Sequence, residues 1–273
     1  MLIDRCHFLS DEMALRWQDR QSVALNVNAN DVKLRDNRAA RFRHFAVMGG
    51  ANHLVIGNHF YQGDDETAGL RGAGIVLATT NVLTSVTGNY IDNASLEWTN
   101  EYEADPAFGA QYSFGGLTVT GNTFLAGSVA PWFSWLVVKP YGAGHFIHGL
   151  NVSGNVFKCL NGSVDRVEKA DTSLAVLDCG RMRNVTFAGN IFNAVTQIAV
   201  NPVTVEHNQG SAAVTWTVAS GGYLPFGGWA RNVEAVVAEG AIVGAASERR
   251  SDMPYVAVEQ GPQKADVTLN WLA

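Results

Sequence analysis

Apolar and polar residues alternate with a period of two in short runs, and five of those runs end alike: HLVIGNHF (53–60), TSVTGNYI (84–91), LTVTGNTF (117–124), LNVSGNVF (150–157) and VTFAGNIF (185–192). With the asparagine at position zero, an apolar residue stands at −3 (Val55, Val86, Val119, Val152, Phe187) and glycine at −1. A large apolar residue stands at +2 (Phe60, Ile91, Phe124, Phe157, Phe192). Flanking copies place Cys6, Asn37 and Asn208 at zero, and successive zero positions are separated by 31, 21, 31, 33, 33, 35 and 18 residues. Alternation before the turn is the mark of a half-buried strand. A Gly-Asn pair turns the chain because both residues tolerate the left-handed backbone region. The +2 residue then points inward on a second strand. A strand–turn–strand unit at this period is one coil of a parallel β-solenoid, with asparagines stacked about 4.8 Å apart and their amides bonded along a ladder. No segment sustains the i, i+3, i+4, i+7 pattern of a helix. An antiparallel sandwich would not repeat one turn sequence five times.

The fold predicted is all-β: a right-handed parallel β-helix over residues 1–208, its hand following the crossover rule, then a small C-terminal antiparallel β-module over 209–273. The module is read from the alternation of Val214, Trp216 and Val218 and from later short strands separated by Gly and Pro. Each coil needs a third strand between its +2 residue and the next coil. The candidates are 22–27, 44–49, 74–79, 95–100, 135–140, 174–179 and 197–202. Met1 falls inside a repeat, so the chain reads as a C-terminal part of a longer protein. The strand edges of an open first coil call for a cover, either a partner subunit or sequence missing from the chain.

Composition narrows the function classes. Of 273 residues, 47% are hydrophobic and 16% charged, enough to build a core, and the formal net charge of −6 argues against a nucleic-acid partner. No apolar run is long enough for a membrane helix, and the first twenty residues carry charges throughout instead of a secretory apolar stretch. Cys6, Cys159 and Cys179 form neither a disulfide framework nor a CxxC pair. GxSxG, P-loop and HExxH motifs are absent from the sequence.

The repeated xVxGNxF unit resembles the pectate-lyase-like β-helix superfamily, with similarity to glycoside hydrolases related to family twenty-eight and to phage tailspikes, over about residues 1–208. That resemblance implies an active groove along the sheet of third strands, a polysaccharide partner and a parallel homo-trimer. It points to a place outside the cell or on a virion particle, and the sequence itself fixes no location. Fold alone does not fix chemistry, since this scaffold also serves non-catalytic stalks and adhesins. The function expected is a depolymerase, hydrolase or lyase; the alternative is a structural or adhesive spike segment that binds glycan without turnover.

Outward residues on the predicted third strands are Glu97, Lys139 and Asp178. Two coils would separate Glu97 from Asp178, about 9.6 Å by strand spacing, near the upper end of the roughly 6.5–9.5 Å of an inverting carboxylate pair. Lys139 between them would bind a sugar-acid carboxylate. Gly63-Asp64-Asp65 matches the GDD tripeptide of the family-twenty-eight hydrolases, which makes Asp64 and Asp65 catalytic candidates, although the accompanying NTD, GHG and RIK elements are missing. Loop carboxylates at Glu101, Glu103, Asp105, Asp165, Glu168 and Asp171 offer further acid–base pairs, or oxygen ligands for Ca²⁺, the one cofactor the sequence leaves open. Trp132 and Tyr102 are the aromatics expected to stack on sugar rings, within a cluster that includes Trp98, Phe108, Tyr112, Phe133, Trp135 and Tyr141. Of these, Trp98 and Trp135 are expected to face the core. His145 and His148 read as turn histidines, not a metal pair.

Overall fold

A computed structural model describes residues 1–63, 72–109, 113–208, 210–211, 213–238, 244–249, 254–263 and 266–272. The chain winds into a parallel β-solenoid of about six turns, and the described residues contain no α-helix. Three parallel sheets form its faces. Sheet A holds Leu2–Asp4, Lys33–Arg35, Leu54–Ile56, Asn81–Thr87, Phe114–Thr120, Ile147–Ser153 and Arg183–Ala188. Sheet B holds the strand that follows each turn, from His7–Leu9 to Ile191–Asn193. Sheet C holds Val23–Asn28, His44–Gly49, Ala73–Leu77, Ser95–Thr99, Leu136–Lys139 and Glu168–Ala170.

The register follows the repeat residue for residue. The −3 residues Val55, Val86, Val119, Val152 and Phe187 are cross-strand partners in sheet A, each 0% exposed. The +2 residues stack likewise in sheet B. Their rings lie face to face, Phe124 on Phe157 at 5.0 Å and Phe157 on Phe192 at 5.8 Å. Identical residues stack because one coil repeats the last at strand spacing, so each column becomes a continuous row of dispersion contacts.

The asparagines form the expected ladder. From Asn37 to Asn155, each side-chain amide donates to the side-chain oxygen of the asparagine one coil on, and the backbone N–H of the same residue donates to that oxygen too, all at 2.9–3.0 Å. The second amide hydrogen reaches back to a carbonyl of the preceding coil, as from Asn122 to Val86 at 2.9 Å. The left-handed residue of the turn is the one before the asparagine: Gly57, Gly88, Gly121, Gly154 and Gly189 have φ between 63° and 67°. Division of labour follows from chemistry. The −1 residue supplies the backbone reversal, and the buried asparagine supplies hydrogen bonds where water cannot. In the first two coils Arg5 and Asp36 take the left-handed position instead of glycine.

Three expectations are corrected. Asn208 is no rung, because Val203–Asn208 is a strand paired antiparallel with Asp266–Leu272. Residues 197–202 form no strand beyond a single bridge at Asn201. Residues 174–179 are not a third strand either: Glu168–Ala170 takes that place beside Leu136–Val138, and Cys179–Arg181 is a 3₁₀ turn. The apolar run LAVLDC looks more strand-like than VEKA. The acidic residue is tolerated inside because Arg166 lies 2.6 Å from the fully buried Glu168 carboxylate, which also accepts the Phe226 backbone N–H at 3.1 Å. Beyond the coils, strands pair antiparallel in two groups of three, the second being Ala213–Ala219, Gly244–Arg249 and Pro254–Gln263.

Candidate functional site

Sheet C carries the candidate site on its outer face. Period-two alternation sends Ala46, Met48, Ile75, Leu77, Leu96 and Trp98 into the core, all at 2% exposure or less. The intervening residues face out, and register aligns Asn26, Val47, Val76, Glu97, Val137 and Lys169 in one column. A groove of about 840 Å³ runs over this face. Asn26, Val47, Val76 and Glu97 are among its floor residues; Trp17 and Arg43 line it from before the strands, and Glu101, Tyr102 and Glu103 line it from the loop after Ser95–Thr99. Arg43 is held over the Trp17 ring at 4.8 Å, and the Trp17 indole N–H donates to the Arg43 carbonyl at 3.2 Å, which fixes that wall.

The charged end of the groove is built round Lys139, level with Thr99 in the register and two residues along from the position opposite Glu97. Its ammonium donates to the Glu101 carboxylate at 2.7 Å. Burial pulls the Lys139 pKa down, but the Glu101 hydrogen bond and the charges of Glu97, Glu101 and Asp171 outweigh it and hold the ammonium protonated above its ordinary range. Glu97 is raised as well, which for an acid favours the neutral form. Its burial, with the nearby carboxylates of Glu101 and Asp171, raises its pKa against the lowering charges of Lys139 and Lys169. Asp171 is also partly desolvated, yet the Ser173 hydroxyl and backbone N–H and the two lysine charges bring its pKa below the usual value. Two carboxyl groups around one lysine are thus pushed in opposite directions by their surroundings.

Of the expected site residues, the structure brings together Glu97, Lys139 and Tyr102 at this groove. Tyr102 is 75% exposed on the rim. Trp132, 54% exposed, stands beside the far end of the same face, its ring 5.3 Å from the Lys169 ammonium, and does not line the groove. Asp178 is not brought there. Because 174–179 is no strand, Asp178 precedes the 3₁₀ turn instead, where its backbone N–H donates to the His145 carbonyl at 2.7 Å. Asp64 and Asp65 lie outside the described residues, as does Tyr112. Trp98 and Trp135 are in the core, at 1% and 0% exposure. His145 is buried among Phe108 and Phe114.

Glu101 and Asp171 were visible in the sequence only as loop acids, and Lys169, Trp17 and Arg43 carried no signal. What gathers Glu101 and Asp171 is their position just past the ends of the two sheet C strands that flank the one carrying Lys139. Among the described residues, no group of three or more His, Cys, Asp or Glu is arranged to hold a metal ion, and no helix is long and apolar enough to cross a membrane.

The fold is that of the parallel β-helix proteins. No protein-family model matches the chain, and no curated protein matches it.

Proposed function

We propose that the sheet C groove binds an extended polysaccharide and cleaves it by acid–base chemistry centred on Glu97. The observation that carries this reading is a cation set among acids on the groove: Lys139 and Glu97 line it together and Lys139 is bonded by Glu101 at 2.7 Å, surroundings that raise Glu97 through burial while Ser173 and the lysines lower Asp171. Environments that push neighbouring acids apart are how one site keeps a proton donor and an ionised base together. In a hydrolytic reaction Glu97 gives its proton to the glycosidic oxygen, and the Asp171 carboxylate takes a proton from the attacking water. In an eliminative reaction on a uronate, the Lys139 ammonium neutralises the substrate carboxylate, a carboxylate of the cluster removes the adjacent proton, and the departing glycosidic oxygen takes the Glu97 proton as its bond to carbon breaks. Tyr102 on the rim offers a flat face to a sugar ring.

A second reading has an observation of its own. Lys139 is already engaged by Glu101 at 2.7 Å, and a closed ion pair suits a groove that holds glycan without turning it over. One experiment separates them. The purified chain is incubated with a panel of acidic polysaccharides, and reducing ends and the absorbance of unsaturated uronates are followed. Turnover that falls at least about a hundredfold in Glu97→Gln, the size expected for a lost acid–base group, supports the catalytic reading. Binding without product supports the adhesive one, and neither binding nor product sinks both.

A further inference from the structure

Away from the groove, one aromatic ring gathers three nitrogen-bearing side chains. The Arg181 guanidinium lies 4.2 Å from the centre of the Phe146 ring and 4.9 Å from that of Phe108. The Arg183 guanidinium lies 5.4 Å from the Phe146 ring, and the His148 imidazole stacks near it at 6.4 Å and 22°. Arg183 and His148 are direct cross-strand partners in sheet A. The next residue, Asn184, is left-handed at φ 54° and donates its amide N–H to His148 Nε2 at 2.9 Å. That bond leaves the proton of the neutral ring on Nδ1, as a donor. Arg181 comes from the 3₁₀ turn Cys179–Arg181 and Phe108 from the loop after the sheet C strand, so three segments converge here.

Among the described residues no carboxylate forms an ion pair with Arg181 or Arg183, and no side-chain acceptor is bonded to either guanidinium. The nearest acid in sequence, Asp178, is tied to Arg181 through its backbone carbonyl at 3.2 Å, not its carboxylate. Cation–π contact fixes the planes of the two guanidiniums while leaving their N–H edges unused. Like charges gathered without a counter-charge repel, and an oxyanion relieves that repulsion while taking charge-assisted bonds from both forks. Both arginines are exposed, so the N–H edges are open to a ligand.

We infer that Arg181, Arg183 and His148 form a binding site for a single oxyanion, a carboxylate or sulfate group, presented on the outer face of sheet A. The anion sits across the two guanidinium edges and accepts the Nδ1 proton of His148. This site needs no groove chemistry and stands whether or not the polysaccharide reading does.

Its test uses the full chain with ¹³C-labelled histidine, the His148 ring signal being assigned by its loss in His148→Gln. Burial and the Arg183 charge hold the His148 imidazole below its ordinary pKa, so an anion bound against it raises the midpoint. Inorganic sulfate serves as the free-anion probe and a galacturonate trimer as the sugar-borne one. The expected result is an upward shift with sulfate that saturates, and about tenfold weaker binding in the Arg181→Gln/Arg183→Gln variant. Arg181→Lys/Arg183→Lys keeps the charge without the forks and is expected to bind between the two. A shift with both probes, or with sulfate alone, supports the site and tells which source it takes. A His148 midpoint unmoved by sulfate overturns it, whatever the trimer does, as does sulfate binding undiminished in the double Gln variant.

Discussion

At the scale of the residue, Glu97 shows how an outward position on a strand acquires chemistry. Nothing in SLEWT marks it beyond its place in the alternation. Its pKa is raised first by burial under the groove walls and then by Glu101 and Asp171. The folded protein therefore holds a proton on Glu97 at pH values where the unfolded chain has released it. Since the native state binds more protons in that window, stability falls as pH rises from the ordinary glutamate pKa through the raised one. Glu97→Gln abolishes this term. The variant is expected to match the wild type below about pH 4 and to exceed it at neutral pH. Urea midpoints measured at intervals from pH 4 to 8 check this; parallel curves for the two proteins would count against a raised Glu97. Asp171 carries the opposite sign, and its contribution is present above the unfolded pKa and lost on acidification through the depressed one.

At the scale of the element, the asparagine ladder explains why some of the architecture was readable from sequence and some was not. Sheets A and B flank a turn whose requirements are local: a left-handed residue, an amide with both a donor and an acceptor, and inward residues at −3 and +2. Those requirements are written out five times, so strand position and register follow from the letters. Sheet C has no such signature. Its strands are found by alternation alone, which gives 44–49 to the residue and places four more within a residue or two, but prefers LAVLDC to the charged VEKA. The preference fails because Glu168 is held by Arg166, just ahead of the run, and by the Phe226 backbone N–H from 58 residues away, a contact no window of that length contains. The candidate site suffers the same way: Glu97 and Lys139 alternate visibly, whereas Glu101 and Asp171 join them only through loop ends that the solenoid stacks. The ladder itself makes a sharp prediction. Asn122 is 1% exposed, and its side-chain oxygen accepts from both the backbone N–H and the side-chain amide of Asn89. Asn122→Ala takes the Asn122 oxygen from the Asn89 backbone N–H and removes one bond each from the Asn89 amide and the Val86 carbonyl, at roughly 1–3 kcal/mol for a buried group left unpaired where water cannot reach. Asn122→Asp keeps an acceptor but loses the donor and buries a charge. Both variants should unfold at clearly lower denaturant, and a loss under about 0.5 kcal/mol in Asn122→Ala would mean that the rungs add register but little stability.

At the scale of the whole molecule, a solenoid has two ends, and each coil is stabilised chiefly by its neighbours. At the C-terminal end the last coil is closed by residues 220–231. Phe226 packs on Phe187, with ring centres 6.4 Å apart, and Arg231 donates to the carbonyls of Met182 and Gly180. Arg166 ties this closure to the coil. Its guanidinium bonds Glu168 at 2.6 Å and the carbonyls of Gly222 and Leu224 at 2.7 and 3.1 Å. The buried Glu168 is the costly partner, its pKa raised by desolvation despite Arg166. Arg166→Met leaves a carboxylate inside the fold with its cation gone, a loss of about 3–5 kcal/mol for a pair of this kind. Adding Glu168→Gln removes the charge while keeping an oxygen for the Phe226 N–H, so the double variant is expected to be more stable than Arg166→Met alone at pH 7. Lowering the pH should narrow that gap, because the unpaired Glu168 takes up a proton in the folded state and the single variant then approaches the double. Chemical denaturation of the wild type, single and double variants at pH 7 and pH 5 tests each step. A double variant no better than the single would move the weight from the charge to the carbonyls of Gly222 and Leu224, making Arg166 a strap on the closing segment and not a counter-ion.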